Sequence, residues 1–145
     1  MRLLLIHAKT MKYRVTEEVK ISAKDLVDEE NKWFEFRNVL VSFTAIEASD
    51  ETDPERIADK CVEELIQVNE RIKAERILIY PYAHLFAPHL AKPKTAIQIL
   101  NLIEEKLKER DMEVYRAPFG WYKEFNIHCL GHPLSESSRI ISLEN

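Results

Sequence analysis

Asp53-Pro54-Glu55-Arg56-Ile57-Ala58-Asp59-Lys60-Cys61-Val62-Glu63-Glu64-Leu65-Ile66-Gln67-Val68-Asn69-Glu70-Arg71-Ile72-Lys73, followed after two residues by Arg76-Ile77-Leu78-Ile79-Tyr80, reads as an amphipathic helix feeding a buried strand. Ile57, Cys61, Leu65, Val68 and Ile72 recur at helical spacing and mark one apolar stripe. Asp53 or Thr52 can cap the first turn, and Pro54 suits the first helical position, where its missing N–H costs nothing. The run that follows is apolar at nearly every position, as in a strand covered on both faces.

Working outward, residues 3–6 (Leu-Leu-Leu-Ile) read as a second buried strand, 12–19 as a weaker edge strand, and 22–31 as a polar surface loop. Residues 33–46 are rich in aromatic and β-branched side chains and divide into two strand segments with a break near Arg37-Asn38. Downstream, 81–93 is a proline-punctuated loop. Thr95 with Gln98 has the spacing of a capping box for a second helix, carried by Ile97, Leu100, Ile103 and Leu107 to about Arg110. Residues 113–117 and 122–129 supply the last clear strands, and 140–145 form no obvious element. The order predicts a single α/β domain, a mixed β-sheet with two main helices packed on it.

At 145 residues, with 46% hydrophobic and 32% charged side chains, the chain suits one globular domain and not a disordered segment. No apolar run approaches the roughly 18 residues needed to span a bilayer, and the opening Met1-Arg2-Leu3-Leu4-Leu5-Ile6-His7 is too short for a signal peptide. The cytoplasm is the expected location. Cys61 and Cys129 stand far apart, which suggests two buried free thiols rather than a disulfide framework or a zinc knuckle. The formal net charge of -4 argues against a broad, sequence-independent grip on nucleic-acid phosphates.

Both glycines of the chain lie beside clusters of reactive or aromatic side chains: Ala117-Pro118-Phe119-Gly120-Trp121-Tyr122-Lys123 and Gly131-His132-Pro133-Leu134-Ser135-Glu136. Between them Phe125, Ile127 and Cys129 alternate with Glu124, Asn126 and His128, the period of a strand with one buried face. Lys123 shares the parity of the apolar set, which aims it at a core edge or a pocket. A purely structural reading stands beside this one: Gly120 a turn, Trp121 and Tyr122 core aromatics, Lys123 extending past the rim to water. There is no glycine-rich phosphate loop, paired metal-binding histidine motif or nucleophile elbow, so no metal or cofactor is expected. His84 opens the loop after the 76–80 strand, where it is either functional or bonded to a backbone carbonyl. His7 ends the first strand and could share that edge. His132 reads as a turn residue, and His128 and His89 as solvated.

These two segments, with Tyr80-Pro81-Tyr82-Ala83-His84-Leu85, resemble the N-terminal editing domain of archaeal threonyl-tRNA synthetase, a relative of the D-aminoacyl-tRNA deacylases; the similarity runs from Leu3 to Arg139. The resemblance implies a D-aminoacyl-tRNA deacylase-like fold over residues 1–145, excised from or linked to a longer synthetase chain. It implies hydrolysis of L-serine wrongly esterified to tRNA(Thr), assisted by the terminal 2'-hydroxyl. Threonine and serine differ by one methyl, which yields only about 10–200-fold discrimination, so a second site must destroy the wrong product. Carried over, Lys123 is the leading cation of the site, with Tyr122, His84 and Glu136 completing its polar surround. Main chain at Pro81, Tyr82 and Ala83 would line the amino-acid pocket with Phe119 beside it, and backbone at Ile46 and Glu47 the adenine pocket. Glu136 is the expected counterion of Lys123.

The implied partners are the 3' end of tRNA(Thr) carrying L-serine, the synthetic domain in cis or in trans, and a second copy of the chain, for which Trp33, Phe34 and Phe36 offer apolar surface. ATP binding would belong to the full-length synthetase only. The family often continues after the first-strand histidine with Ser-Asp, whereas Ala8-Lys9 stands here, which leaves no role for an acid at position 9. The rival expectations are a general D-aminoacyl-tRNA deacylase and a non-catalytic tRNA-binding or anchoring module.

Overall fold

The computed structural model describes residues 1–85 and 88–144; Phe86 and Ala87 of the expected 81–93 loop, and Asn145, lie outside the described residues. Six strands form one mixed sheet: β1 (Arg2–Glu18), β2 (Phe34–Ala45), β3 (Arg76–Pro81), β4 (Val114–Arg116), β5 (Trp121–Cys129) and β6 (Glu136–Ile140). The order β4-β3-β2-β1-β5 is completed by β6, which pairs with β1. The β2–β3 and β3–β4 pairs are parallel and the rest antiparallel. Helices α1 (Pro54–Ile72) and α2 (Pro93–Glu109) are the crossovers of the two parallel steps. Successive crossovers running in one direction across a sheet keep one hand and so lie on one face. The α/β architecture with two main helices is the one the element order predicts.

Asp53 caps α1 as expected, accepting from the Arg56 N–H at 3.2 Å, and the helix ends at Lys73 in the left-handed conformation. The expected Thr95–Gln98 capping box is not formed: α2 starts at Pro93 after Lys92, with no side-chain cap. A proline at the first turn removes one of the orphan N–H groups that a capping box would serve.

The two strand segments expected at 3–6 and 12–19 are one strand of 17 residues. Against β5 the register shifts between Ala8 and Thr10, a bulge at Lys9, while against β2 the pairing passes over Lys9 and Asn38 together. Because side chains alternate with period two, one extra residue exchanges the faces. Leu3 and Leu5 belong to the core under the helices, whereas Met11 and Tyr13, of the same parity, belong to the core on the opposite face. The expected break at Arg37-Asn38 is the matching irregularity in β2: Asn38, at φ 47°, is the residue skipped opposite Lys9, and β2 continues through it. Leu40 faces the helices, while Val39, Val41, Phe43 and, across the bulge, Phe36 face the other way.

The helix-side core contains Leu3, Leu5, Leu40, Ile57, Leu65, Ile77, Ile79, Ile99, Leu100 and Ile103, all essentially buried. The other face is aromatic. Tyr13, Phe43 and Tyr80 are buried there, and Phe125 of β5 packs against both Phe43 and Tyr80 at ring separations of 5.5 Å. In a flat sheet β5 and β3, three strand steps apart, would stand about 14 Å from each other. Contact between their side chains shows that this face is strongly concave, consistent with the bending that bulges impose. β6 had no counterpart among the expected elements; it runs antiparallel to Arg2–Ile6 beyond the end of β5. Cys61 is a buried free thiol and Cys129 a half-buried one.

Candidate functional site

Lys123 lies on the concave face, opposite Val15 in the β1–β5 register. Its ammonium donates to the Pro118 carbonyl at 2.8 Å and the Trp121 carbonyl at 3.1 Å, and it stands 5.1 Å from the centre of the Tyr80 ring. Burial pulls the Lys123 amine down from the usual lysine value to about 8, with nearby Arg116 acting in the same direction and Asp25 opposing both. Burial likewise raises the Tyr80 and Tyr13 hydroxyls, Tyr13 to about 12. The concave face thus carries a cation poised near neutrality on an aromatic floor. Such a group can hold a carbonyl oxygen that is gaining negative charge.

The turn that cradles this ammonium is clamped from outside the strand. Asp25, in the 19–33 connection, takes Arg116 Nη1 at 2.5 Å, Arg116 Nη2 at 3.2 Å and the Phe119 N–H at 2.8 Å on its carboxylate. Its own N–H donates to the Phe119 carbonyl at 3.0 Å, and its carbonyl accepts from the Trp121 indole at 2.8 Å. Burial pushes the Asp25 carboxyl up, but the Arg116 guanidinium and the Phe119 N–H outweigh it and hold the group below the usual carboxylate range. Gly120 adopts φ 91°, and a Cβ there would collide with Lys24. A cavity of about 440 Å³ opens beside this clamp, lined in part by Tyr13, Phe34, Arg116 and Pro118.

The other expected site residues are dispersed. Tyr122, next to Lys123, projects to the opposite face of β5 and is 56% exposed. Glu136 lies opposite Ile6, nine residues along β1 from the partner of Lys123. The Cys129 thiol donates to the Glu136 carboxylate at 3.3 Å, so Glu136 is not the counterion of Lys123. The nearby carboxylate is Asp25, which sequence reasoning missed because it sits in a polar loop with no periodicity to mark it.

Pro81 ends β3 against Thr44, and the Tyr82 N–H donates to the Thr44 carbonyl at 2.8 Å, which places the following Ala83-His84 turn, exposed, at the end of the parallel strands. Tyr82 stacks edge-on to Phe43 at 5.9 Å and so borders the same concave face. At the same end of the sheet, Ile46 is buried and its carbonyl accepts from the Ala91 N–H at 3.1 Å; the Glu47 N–H donates to Asp50 at 2.8 Å. Phe119 is half-buried within the clamped turn.

His7 does not share an edge with His84. It is buried within β1, with Nδ1 2.7 Å from His132 Nε2 and Nε2 2.7 Å from Asn38 Oδ1. The Leu134 N–H donates to His132 Nδ1 at 3.1 Å. One set of neutral tautomers satisfies the whole series: His132 donates to His7, and His7 donates to Asn38. The series pins the β5–β6 loop to the bulge. Among the described residues no group of three or more His, Cys, Asp or Glu could hold a metal ion. Nor, among those residues, is any helix long and apolar enough to cross a membrane.

The chain shares its fold with the c-Myc DNA unwinding element binding protein, at a TM-score of 0.68 over 97% of this chain and 98% of that one; at 14% identity the likeness concerns the fold alone. Its sequence is 46% identical to the threonine–tRNA ligase of Staphylothermus marinus over 99% of this chain, 47% identical to that of Thermococcus gammatolerans over 97%, and 44% identical to that of Methanobrevibacter smithii over 99%. It spans less than a quarter of the length of these relatives, 22–23%. The model of the archaea-specific editing domain of threonyl-tRNA synthetase matches residues 1–141, and with relatives this similar along nearly the whole chain, the protein belongs to that editing-domain family.

Proposed function

We propose that this domain proofreads tRNA(Thr) by hydrolysing the ester that joins a wrongly attached L-serine to the terminal adenosine. The observation that carries the proposal is Lys123, a half-buried ammonium on an aromatic concave face with its amine brought to about 8. Attack of water on the ester carbonyl puts negative charge on its oxygen, and a preorganised cation in partly desolvated surroundings stabilises that charge more than the ground-state ester. The terminal 2'-hydroxyl of the RNA assists, while protein groups position the water and polarise the ester. Backbone at Pro81, Tyr82 and Ala83 holds the seryl group, His84 borders it, and backbone at Ile46 and Glu47 receives the adenine, whereas the Phe119 ring packs against the helix-side core. The net charge of -4 fits a domain that handles only the acceptor end while the remainder of a synthetase, on the same chain or another, supplies the grip on the RNA.

Tyr122 and Glu136 enter this site from a second copy of the chain. Within one copy Tyr122 points away from the Lys123 face, and the Glu136 carboxylate takes the Cys129 thiol. A symmetric dimer brings such separated groups together twice, once at each site. Trp33 and Phe34, 43% and 36% exposed, are apolar surface available to that interface.

The test is decay of L-seryl, L-threonyl and D-seryl tRNA(Thr) with the wild-type domain and with Lys123→Met. Rapid loss of the L-seryl ester alone, abolished in the variant, is the expected outcome. Loss of the D-seryl ester instead would make the protein a chirality-directed deacylase, and decay of all three at the spontaneous rate would leave a binding module.

A further inference from the structure

We infer that Asp25 is the positioning residue for Lys123: it assembles the carbonyl cradle that holds the ammonium and supplies the negative charge that keeps it protonated. Among the described residues the Lys123 ammonium donates to two backbone carbonyls, of Pro118 and Trp121, and to no carboxylate. The placement of these carbonyls depends on the turn between β4 and β5. Asp25 fixes that turn at three points: through Arg116 at its start, through both backbone groups of Phe119 in its middle, and through the Trp121 indole at its end. The Val19 N–H adds a bond to the Gly120 carbonyl at 3.0 Å, and Lys24 closes the space beside Gly120. A single loop residue thus defines where the cation can sit.

The charges around Lys123 assign the second half of the role. From β3 the Tyr80 ring faces the ammonium, and the influences on its titration are burial, Arg116 of β4 and Asp25 of the 19–33 connection. Asp25 is the carboxylate that favours the charged amine, beside the two carbonyls and the Tyr80 ring that receive it, whereas burial and Arg116 disfavour it. Removing the Asp25 charge therefore moves the Lys123 amine to lower pH. Arg116 retains Glu104 at 3.3 Å and Asn101 at 2.8 Å, so Asp25→Asn, which keeps the side chain's shape and one carbonyl acceptor, leaves the guanidinium paired.

This inference rests on the proposal that Lys123 serves in hydrolysis, and the experiment separates the two. Lysine side chains carrying ¹³C at Cε are titrated by NMR in the wild-type domain, in Asp25→Asn and in Asp25→Glu, with the Lys123 signal assigned by its loss in Lys123→Met; deacylation of L-seryl-tRNA(Thr) is followed over the same pH range. The expected result is a Lys123 midpoint displaced to lower pH in Asp25→Asn and restored toward the wild-type value in Asp25→Glu. The alkaline fall in kcat should move down by the same interval while KM stays nearly fixed. A displacement of one pH unit corresponds to about a tenfold loss of kcat above the midpoint. The wild-type chain gives a second check that needs no substitution: its Lys123 signal should show a further step on the acid side as Asp25 takes up a proton. An unmoved midpoint in Asp25→Asn, or no acid step in the wild type, overturns the inference. Full activity in Lys123→Met would remove Lys123 from the reaction and leave the NMR result to decide the role of Asp25.

Discussion

At the scale of the residue, Lys123 is held in a state that costs stability. Its folded-state amine titrates near 8, below the ordinary lysine value of 10.5, because burial disfavours the charge. For a base whose folded value is depressed, the unfolded chain binds the proton more tightly. The penalty is therefore present in full below about pH 8 and is relieved as pH rises through the interval to 10.5. Lys123→Met should accordingly make the domain more stable at pH 7, by about 1 kcal/mol after the loss of the two carbonyl contacts is set against the relieved burial. Denaturant unfolding at pH 7 and again above pH 10 should show this gain shrinking with alkalinity; equal stability of variant and wild type at both pH values would refute the sign. The same titration sets the activity profile. Hydrolysis that needs the ammonium should decline as pH passes about 8, measured on the ester after subtraction of spontaneous decay.

At the scale of the element, the two glycines give a contrast that the backbone explains. Gly120 has φ 91° and its missing Cβ leaves room for Lys24, whereas Gly131 has φ 76° with open space around it. Gly120→Ala combines strain with collision and should cost about 2–3 kcal/mol; Gly131→Ala pays only for the left-handed backbone, about 1 kcal/mol. Unfolding midpoints of the two variants test this directly, and Gly120→Ala should also lose activity because it displaces the Pro118 and Trp121 carbonyls. Elements with a clean period could be read from the chain: α1 with its Asp53 cap, β3, and β5 with Lys123 on its apolar parity. β1 reads as two strands because Ala8-Lys9-Thr10 interrupts its apolar pattern, and the bulge at Lys9 puts Leu3 and Tyr13, of equal parity, on opposite faces of one strand. β6, Glu136-Ser137-Ser138-Arg139-Ile140, is an edge strand with no fully buried side chain, so it carries no hydrophobic signal at all. The Thr95–Gln98 motif misled because Pro93 opens α2 two residues earlier.

At the scale of the whole molecule, the site residues suggested by resemblance come together only in part. Lys123 meets Tyr80 on the concave face and Tyr82 borders it, while Tyr122 projects from the other face and Glu136 takes the Cys129 thiol. Sequence could place each residue on a strand but not report which of them meet, since that depends on how β5 and β6 share β1 and on how far the sheet bends. If two copies complete each other, Lys123→Met and Glu136→Ala, each inactive alone, should regain about a quarter of wild-type hydrolysis when refolded together as an equal mixture, because half of the dimers are mixed and each has one intact site. A mixture as inactive as its components would place all the groups within one chain.

The account turns on what the domain destroys. Isolated domain is added to tRNA(Thr) charged in turn with L-serine, L-threonine and D-serine, and ester loss is compared with spontaneous decay. The expected result is rapid loss of L-seryl ester with L-threonyl ester spared; decay of L-seryl-tRNA(Thr) no faster than in buffer would contradict it.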